Sequence, residues 1–342
     1  MKTRAAILFE LHKPLVLDDV EIPFLKRGQV LVKILYSGVC RAQYNEMIGL
    51  KGPDKFLPHL LGHEASGHVV EVGAGITKVK AGDYVCLSWI KGKGLDGINS
   101  QYRLGNRIIN AGAVTTFSDY AVVSENRIVK IPSSVSPEVA SIVGCAVATG
   151  CGIVEHHLPK RGSVAVFGAG GVGLSAILAA RRKDCRVVAV DVSDSKLKFA
   201  RRLGVNFIIN AQRTDAVAKI KNVFKEGVDL SIDASGQKKA MEDAFAVIKE
   251  QGGLCVIAGN LSKNEKIELH PFEFIKGKRI IGTWGGETFP DKDIPLFLRR
   301  YSQGDLPIDK LITHRFDLAC INKAFESLIG QGEGRIILKM RE

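Results

Sequence analysis

The sequence predicts a mixed α/β protein in which a β-rich module precedes a doubly wound domain built on a parallel sheet. Two observations support this fold class. Short apolar β-runs, broken by Gly and Pro, fill the chain up to Pro132, which is typical of an all-β, partly closed module. From Ser163 onward, β-runs alternate with segments of helical length, the pattern of a parallel sheet covered by helices on both faces.

The β-rich module is indicated by five apolar runs, "RAAILFE", "QVLVKILYSGV", "GHVVEVG", "GDYVCLSW" and "FSDYAVVSENRIVKIP". After Pro137 the pattern changes, and "SPEVASIVGCAVATGCGIVEHH" has the character of a helix. Six further β-runs then predict the parallel sheet: "SVAVFG", "CRVVAVD", "NFIINA", "VDLSIDAS", "GLCVIAG" and "RIIGTWGG". The tail from Gly285 returns to mixed elements and ends in a predicted strand, "GRIILKM". We therefore place a first domain at 1–146, completed by 285–342, and a second at 147–284.

Composition narrows the class of protein. The chain has 342 residues, 46% hydrophobic and 25% charged, which is ordinary for a globular protein and enough for two domains. No apolar stretch approaches the ~18 residues of a membrane span, and the N-terminus lacks a signal-peptide pattern. These observations predict a cytoplasmic protein that does not associate with a membrane.

Seven cysteines, an odd number, are scattered along a chain too large to depend on disulfides. They are expected to be reduced, so that any paired use of cysteine favours metal binding. The formal net charge of +12 is spread over the whole chain without a basic tail. It therefore predicts a solvated basic surface, or an anionic cofactor or substrate, and no nucleic-acid partner.

A glycine-rich loop follows the first β-run of the parallel sheet. In "FGAGGVG", Gly168, Gly170 and Gly173 have G-x-G-x-x-G spacing, with Gly171 and Val172 between the last two. Such glycines allow a tight turn, a close approach to a pyrophosphate and the packing of a helix on a strand.

An acidic residue completes the dinucleotide pattern. Asp191 ends the next β-run, where a carboxylate can accept hydrogen bonds from a ribose. Because a carboxylate repels a 2′-phosphate, the pattern favours NAD over NADP.

Three positions have the chemistry of a zinc site: Cys40 in "GVCRAQ", His63 in "GHEASG" and Cys145 in "GCAVATG". Zinc binds thiolate and imidazole, and a site with three or four protein ligands can leave room for water or substrate. Each of these residues alone is more often structural, because a buried cysteine behaves as a small hydrophobic side chain.

The motifs "GVCRAQ", "GHEASGHVVEVG", "GDYVCLSW", "GCAVATG" and "GAGGVG", in this order, resemble the zinc-dependent alcohol dehydrogenases of the medium-chain dehydrogenase/reductase superfamily. The resemblance extends over essentially the whole chain. It implies a GroES-like catalytic domain and a Rossmann domain, with zinc and the nicotinamide in the cleft between them. It also implies a small-molecule alcohol or ketone as substrate and a homodimer or homotetramer as the assembly.

The resemblance assigns roles to individual residues. It makes Cys40, His63 and Cys145 the ligands of a catalytic zinc, with Glu64 as a nearby carboxylate that can replace water on the metal. The remaining roles fall to Arg41 and Arg335 at the pyrophosphate, Thr149 at the nicotinamide end, Asp191 and Lys196 at the adenosine ribose, and Trp89 in the substrate pocket.

The chain departs from the family pattern in two places. Between Asp83 and Asp119 it has only Cys86, where many relatives carry four cysteines that bind a structural zinc. We therefore expect one zinc per chain. In addition, Ala42 and Gln43 stand where alcohol-oxidising relatives have a hydroxyl that relays the proton and an acidic residue beside the histidine ligand.

These observations predict a zinc- and NAD-dependent dehydrogenase acting on a polar secondary alcohol or ketone, of the polyol, sugar or sugar-phosphate type. Two alternatives remain at this point. One is a zinc-free NAD(P)H reductase of the same superfamily, which the three metal-type residues argue against. The other is a non-catalytic dinucleotide-binding protein or a basic nucleic-acid binder, which the missing relay hydroxyl and the pI of about 9.3 leave open.

Overall fold

The N-terminal part of the protein is built from β-strands. The computed structural model describes residues 1–330 and 332–341. Its first strands are β1 (Lys2–Leu8), β2 (Val16–Glu21), β3 (Gln29–Val39), β4 (His59–Leu60), β5 (Ala65–Val72), β6 (Tyr84–Leu87), β7 (Gln101–Leu104), β8 (Arg107–Asn110), β9 (Tyr120–Ser124) and β10 (Ile128–Lys130). Strands β1, β2, β7, β8 and β4 form a closed barrel, and β10, β6, β5 and β3 form part of a second sheet, in which β9 also pairs with β3.

All five predicted β-runs of this part are strands, but four further strands were missed. Strands β2, β4, β7 and β8 are short, and β2 and the β7–β8 hairpin are rich in polar residues. Their apolar residues are too few to give a clear alternation. The barrel closes through pairings between strands far apart in the sequence, which local patterns do not reveal.

The second part is a doubly wound α/β domain, as predicted. The six predicted runs form β11 (Ser163–Phe167), β12 (Arg186–Asp191), β13 (Phe207–Asn210), β14 (Leu230–Asp233), β15 (Leu254–Ile257) and β16 (Arg279–Gly282). They form one parallel sheet in the order β13-β12-β11-β14-β15-β16. Each strand is followed by a helix before the next strand begins, which is the connection that parallel strands require.

The helices lie mostly around this parallel sheet. They are α1 (Arg41–Met47), α2 (Pro137–Ala140), α3 (Ala148–His157), α4 (Gly171–Arg182), α5 (Asp194–Arg202), α6 (Ala216–Val223), α7 (Lys238–Ala246), α8 (Pro271–Ile275), α9 (Pro290–Ser302) and α10 (Ile321–Ile329). None of the helices in the described part of the chain is long and apolar enough to cross a membrane.

The segment predicted as one helix around Cys145 is instead broken into three pieces. Between α2 and α3, residues Val143–Val147 form a π-helical turn. The hydroxyl of Ser88 donates a hydrogen bond of 2.6 Å to the carbonyl of Gly144, so this carbonyl has a partner outside the helix. Such turns are frequent at functional sites, and this one carries Cys145.

The C-terminal segment returns to the N-terminal sheet. Strands β17 (Ile312–Asp317) and β18 (Arg335–Lys339) pair with each other, and β18 pairs with β3. By contrast, α9 buries Ile294, Phe297 and Leu298 in the core that also includes α3 and α4. The boundaries 1–146, 147–284 and 285–342 stay a prediction.

Candidate metal centre and cofactor cleft

Three separate elements bring Cys40, His63 and Cys145 together. Cys40 follows β3 and precedes α1, His63 lies between β4 and β5, and Cys145 lies on the π-helical turn. One donor atom from each residue lies within 4.8 Å of the other two. Two thiols and one imidazole at this spacing form a donor set that suits zinc.

The hydrogen bonds of His63 indicate which ring nitrogen is free for a ligand. Its Nε2 is buried and has no hydrogen-bond partner. Its Nδ1 lies 2.6 Å from the side-chain amide of Gln43, and the amide oxygen of Gln43 is itself without a partner. Turning the amide by 180° lets this oxygen accept Nδ1–H, which leaves the Nε2 lone pair for a metal. The orphaned nitrogen therefore fits a metal ligand.

The two thiols do not titrate independently. A hydrogen bond from Cys145 lowers the pKa of Cys40 well below its usual range, with further help from His63. Conversely, the bond to Cys40, and then burial, raise the pKa of Cys145. Burial lowers the pKa of His63, but the Cys40 sulfur outweighs burial and raises it overall. This proton sharing among three crowded side chains is what a bound cation would replace.

Glu64 is paired with Arg335 directly behind this cluster. One oxygen of Glu64, a residue with no exposed surface, accepts a hydrogen bond from Arg335, and its other oxygen has no partner. Burial raises the pKa of Glu64 to about 7, against the opposing effect of Arg335. Glu64 therefore lies outside the cluster of three donor atoms, and its carboxyl group pairs with Arg335.

The glycine loop leads from β11 into α4. Gly168 has a φ of 97°, in the left-handed region that favours glycine. At Gly173 an added Cβ would collide with the carbonyl of Gly168, whereas at Gly170 it would meet nothing within 4 Å. The loop is therefore closely packed at its ends and open at Gly170, where a pyrophosphate would approach.

Arg335 also reaches the start of helix α4. A Cβ placed on Gly171 would lie 2.8 Å from Cδ and 2.9 Å from Nη1 of Arg335. The Arg335 side chain therefore lies between the glycine loop and Glu64. The next residue of the predicted loop, Val172, has its carbonyl against Gly150 of α3.

Asp191 holds the glycine loop through its backbone. One carboxylate oxygen accepts the amide of Ala169 at 2.7 Å, and the other accepts the amide of Ser193 at 2.9 Å. A cavity of about 650 Å³ lies beside Asp191 and Gly168. Its position at the carboxyl ends of parallel strands is where dinucleotides bind in such sheets.

The other predicted cofactor residues have different surroundings. Lys196 lies on α5 and is not among the residues that line this cavity. Thr149 is buried on α3 with its carbonyl against Gly286. Arg41 is exposed at the start of α1, with its guanidinium 5.4 Å from the ring centre of Tyr44. The cofactor-binding roles of Lys196, Thr149 and Arg41 stay predictions.

A second cavity, of about 560 Å³, opens beside His63. Trp89 lies on its wall, together with Gln43, Thr115 and Arg127. The Trp89 ring packs edge-on against Trp284, with 5.0 Å between ring centres.

Sequence reasoning missed Thr115 and Arg127. Neither residue belongs to a motif, and only the pairing of β6 with β10 brings Arg127 next to Trp89.

The comparisons with known proteins agree with this geometry. Residues 26–133 match the alcohol dehydrogenase GroES-like domain and residues 171–303 the zinc-binding dehydrogenase family. Alcohol dehydrogenase 1 of Pisum sativum is 31% identical over 100% of this chain and 98% of its own. The S-(hydroxymethyl)glutathione dehydrogenase of Synechocystis is 33% identical over 95% and 96%.

Two solved structures share the whole architecture. Benzyl alcohol dehydrogenase from Acinetobacter calcoaceticus has a TM-score of 0.91 at 26% identity, with full coverage of both chains. 2R,3R-butanediol dehydrogenase from Bacillus subtilis has a TM-score of 0.80 at 26% identity over 98% of this chain and 99% of its own.

The fold, together with the thiol and imidazole donors of Cys40, His63 and Cys145, defines a zinc-binding dehydrogenase with a GroES-like and a Rossmann domain. The chain belongs to the zinc-dependent alcohol dehydrogenase family of the medium-chain dehydrogenase/reductase superfamily and is an oxidoreductase of that type.

Proposed function

We propose that this protein is a zinc- and NAD-dependent dehydrogenase that transfers hydride between NAD(H) and a polar secondary alcohol or ketone of the polyol, sugar or sugar-derived type. The observation that carries the proposal is the position of the cavity of about 560 Å³, which opens beside His63 of the Cys40–His63–Cys145 cluster. A substrate bound in this cavity would then lie beside the proposed metal ligands.

The proposed metal ligands are Cys40, His63 and Cys145, supported by the buried, unpartnered Nε2 of His63. A bound zinc supplies Lewis-acid stabilisation of negative charge on the substrate oxygen. Gln43 fixes the orientation of the His63 ring, and Arg335 offsets the negative charge of Glu64 behind the cluster. This donor set argues against a zinc-free reductase. One zinc per chain is proposed because Cys86 is the only cysteine between Asp83 and Asp119.

The proposed cofactor is NAD, which accepts or donates the hydride. The open backbone at Gly170 and the carboxylate of Asp191 at the end of β12 support this choice. Asp191 bonds two backbone amides, so its charge is held at the edge of the cavity. A 2′-phosphate placed there would be repelled, and a ribose hydroxyl would find an acceptor.

The substrate class is supported by the polar atoms around the cavity. Trp89 Nε1 and Thr115 Oγ1 are buried and without partners, and buried polar atoms of this kind favour a ligand that can hydrogen-bond to them. The related butanediol dehydrogenase is, by its name, active on a vicinal diol. Ala42 offers no hydroxyl for a proton relay, so a second hydroxyl on the substrate is favoured.

Zinc content and a panel of substrates test the proposal on one preparation. We expect one zinc per chain by elemental analysis, and faster reduction of NAD with polyols than with ethanol or 2-propanol. Two zinc per chain would remove the single-site assignment. A protein without zinc, or without turnover on any secondary alcohol, would contradict the proposed reaction.

A cysteine variant tests the ligand assignment separately. Cys145→Ala is expected to abolish turnover and to leave the binding of NADH, measured by fluorescence titration, largely intact. Cys255→Ala is the matched control, because Cys255 is also buried but lies on β15 of the parallel sheet. Turnover at the wild-type rate in Cys145→Ala would show that this thiol is not a ligand.

A homodimer or homotetramer is part of the proposal. Strand β16 lies at the edge of the parallel sheet, and Trp284, just beyond it, is 76% exposed. An exposed sheet edge with an apolar neighbour favours pairing with a second copy. Light scattering on a sizing column measures the assembly, and a monomer at micromolar concentration would contradict it.

A further inference from the structure

The cavity beside His63 is lined by an arginine that forms no ion pair with any described carboxylate. Arg127 directly precedes β10, and its backbone carbonyl accepts a 2.9 Å hydrogen bond from the amide of Ser88. This contact places Arg127 next to Trp89, which follows Ser88 in the chain. Both side chains line the cavity.

The hydrogen bonds of Arg127 leave most of its donors unused. One Nη1 hydrogen bond goes to the backbone carbonyl of Trp89. Its Nε is buried and has no partner. The guanidinium of Arg127 forms no ion pair with a carboxylate in residues 1–330 or 332–341. Arg127 is half-buried, and a buried N–H without an acceptor is costly, so an acceptor on a ligand in the cavity would stabilise this arrangement.

The nearest electrostatic influence on Arg127 is already engaged elsewhere. Burial lowers the pKa of Arg127, and Asp96 acts in the opposite direction. However, the Asp96 carboxylate bonds Lys91 Nζ at 2.6 Å and Asn126 Nδ2 at 2.9 Å. It therefore does not neutralise the guanidinium by direct contact.

The wall of the same cavity also carries an acidic residue, Glu46, which has partners of its own. The Glu46 carboxylate lies 3.8 Å from Lys51 Nζ and 3.9 Å from His59 Nε2. Asp54 accepts a 2.8 Å hydrogen bond from the same His59 nitrogen. Glu46 and Asp54 thus have Lys51 and His59 as partners, whereas no described carboxylate lies within ion-pair distance of Arg127.

The size of the cavity fits a substrate that extends well beyond its reacting carbon. A volume of about 560 Å³ exceeds what a two- or three-carbon alcohol fills, and lies in the usual range for larger ligands. Trp89 Nε1–H and the Thr115 hydroxyl, both without partners, add neutral donors to those of Arg127. A group with several oxygens and a negative charge matches all of them.

We propose that Arg127 anchors an oxyanion at the far end of the substrate, a carboxylate or a phosphate ester several bonds from the carbon that is oxidised. The inference rests on the proposed function, since it concerns the substrate of that site. Trp89 and Thr115 assist the anchor, and Arg127 is a binding residue that sets specificity without taking part in hydride transfer.

Binding to the zinc-loaded protein in the presence of NADH tests this proposal without turnover. The probes are erythritol, erythronate and erythritol 4-phosphate, which have the same chain length and differ at one end. Calorimetric titration is expected to give roughly 10- to 100-fold tighter binding for at least one charged compound than for erythritol. The charged compound that binds more tightly shows whether the anchored oxyanion is a carboxylate or a phosphate. Equal binding of all three would overturn the proposal.

Variants then assign the effect to Arg127. Arg127→Gln is expected to remove the preference for the charged compound and to leave erythritol binding within about twofold, because only the charged contact is lost. Arg127→Lys is expected to restore part of the preference. Arg201→Gln, an exposed arginine on α5, is the control. A preference that persists in Arg127→Gln would overturn the assignment.

Turnover separates this inference from the proposed function. Oxidation of erythritol with no preference for a charged compound would leave the dehydrogenase assignment standing and refute the anchor. Binding of an oxyanion that depends on Arg127, without oxidation of any of the three compounds, would support the anchor and refute the polyol assignment. Zinc content and circular dichroism of each variant identify a fold that has been lost.

Discussion

The side-chain amide of Gln43 lies 2.6 Å from Nδ1 of His63 and fixes the ring that presents Nε2 to the cluster. A neutral amide holds the imidazole in place without adding negative charge to it. Groups of this kind, behind a metal ligand, orient it and adjust its basicity.

Gln43→Ala is therefore expected to weaken zinc binding by roughly 10- to 100-fold. Competition with a chromogenic chelator measures this affinity directly. Gln101→Ala is the control, because Gln101 lines the same cavity and its side-chain amide donates to Asn110. Unchanged zinc affinity in Gln43→Ala would show that the amide does not support the ligand.

Asp191 is expected to set the preference for NAD. Asp191→Ala should reduce the preference for NAD over NADP in kcat/KM by the equivalent of about 1–3 kcal/mol. The substitution removes both an acceptor for the ribose hydroxyl and a charge that repels a 2′-phosphate. It should also lower the unfolding temperature, since the amide of Ala169 loses its partner. Gln212→Ala, on the wall of the same cavity, is the control. Better use of NADP than NAD by the unmodified protein would contradict this role.

Ala42 is expected to limit the oxidation of simple alcohols. Ala42→Ser restores a hydroxyl two positions after Cys40 and should raise turnover of 2-propanol while zinc content stays the same. Proton transfer by a positioned group contributes typically ~10²- to 10⁴-fold, so its effect should be visible in the pH profile of kcat. Fast oxidation of 2-propanol by the unmodified protein would remove the argument for a substrate with neighbouring hydroxyls.

Glu125 is expected to stabilise the loops that contain Thr77, Lys78 and Leu95. Its carboxylate accepts the backbone amides of Thr77, Lys78 and Leu95 at 2.7, 2.8 and 2.7 Å. Burial raises its pKa, but these hydrogen bonds outweigh burial and lower it overall. Glu125→Gln should therefore reduce the free energy of unfolding at pH 7 by about 1–3 kcal/mol.

The pH dependence of this effect has a definite sign. Because the folded-state pKa of Glu125 is lowered, its stabilisation is present above the unfolded carboxyl value and is lost as the pH falls through the folded value. The difference between wild type and Glu125→Gln should thus shrink below about pH 4. Denaturant titrations at several pH values measure it, and a constant difference would contradict the ionic origin.

Local patterns were sufficient to predict the parallel sheet and the glycine loop. Strands β11 to β16 are built mostly of apolar residues, and Gly168, Gly170 and Gly173 lie within one short stretch of sequence. The group Cys40, His63 and Cys145 was predicted by resemblance to a family, since nothing in their own spacing brings them together. The structure supplies that proximity through β3, β5 and the π-helical turn.

Contacts between distant segments could not be predicted from the sequence. The pairing of Glu64 with Arg335 and the position of Arg127 beside Trp89 depend on β18 joining β3 and on β10 joining β6. An isolated arginine in the sequence is normally a solvated charge. Only the three-dimensional arrangement reveals that Arg335 is buried and that Arg127 lines a cavity.

The pairing of Glu64 with Arg335 also constrains the order of events during synthesis. The two residues are 271 positions apart, so a ribosome adding ~5–20 residues per second needs roughly 15 to 50 seconds between them. Throughout that interval Glu64 lacks its counter-charge and β3 lacks the neighbour β18. The ion pair of Glu64 with Arg335 and the pairing of β3 with β18 can therefore form only after most of the chain has been synthesised.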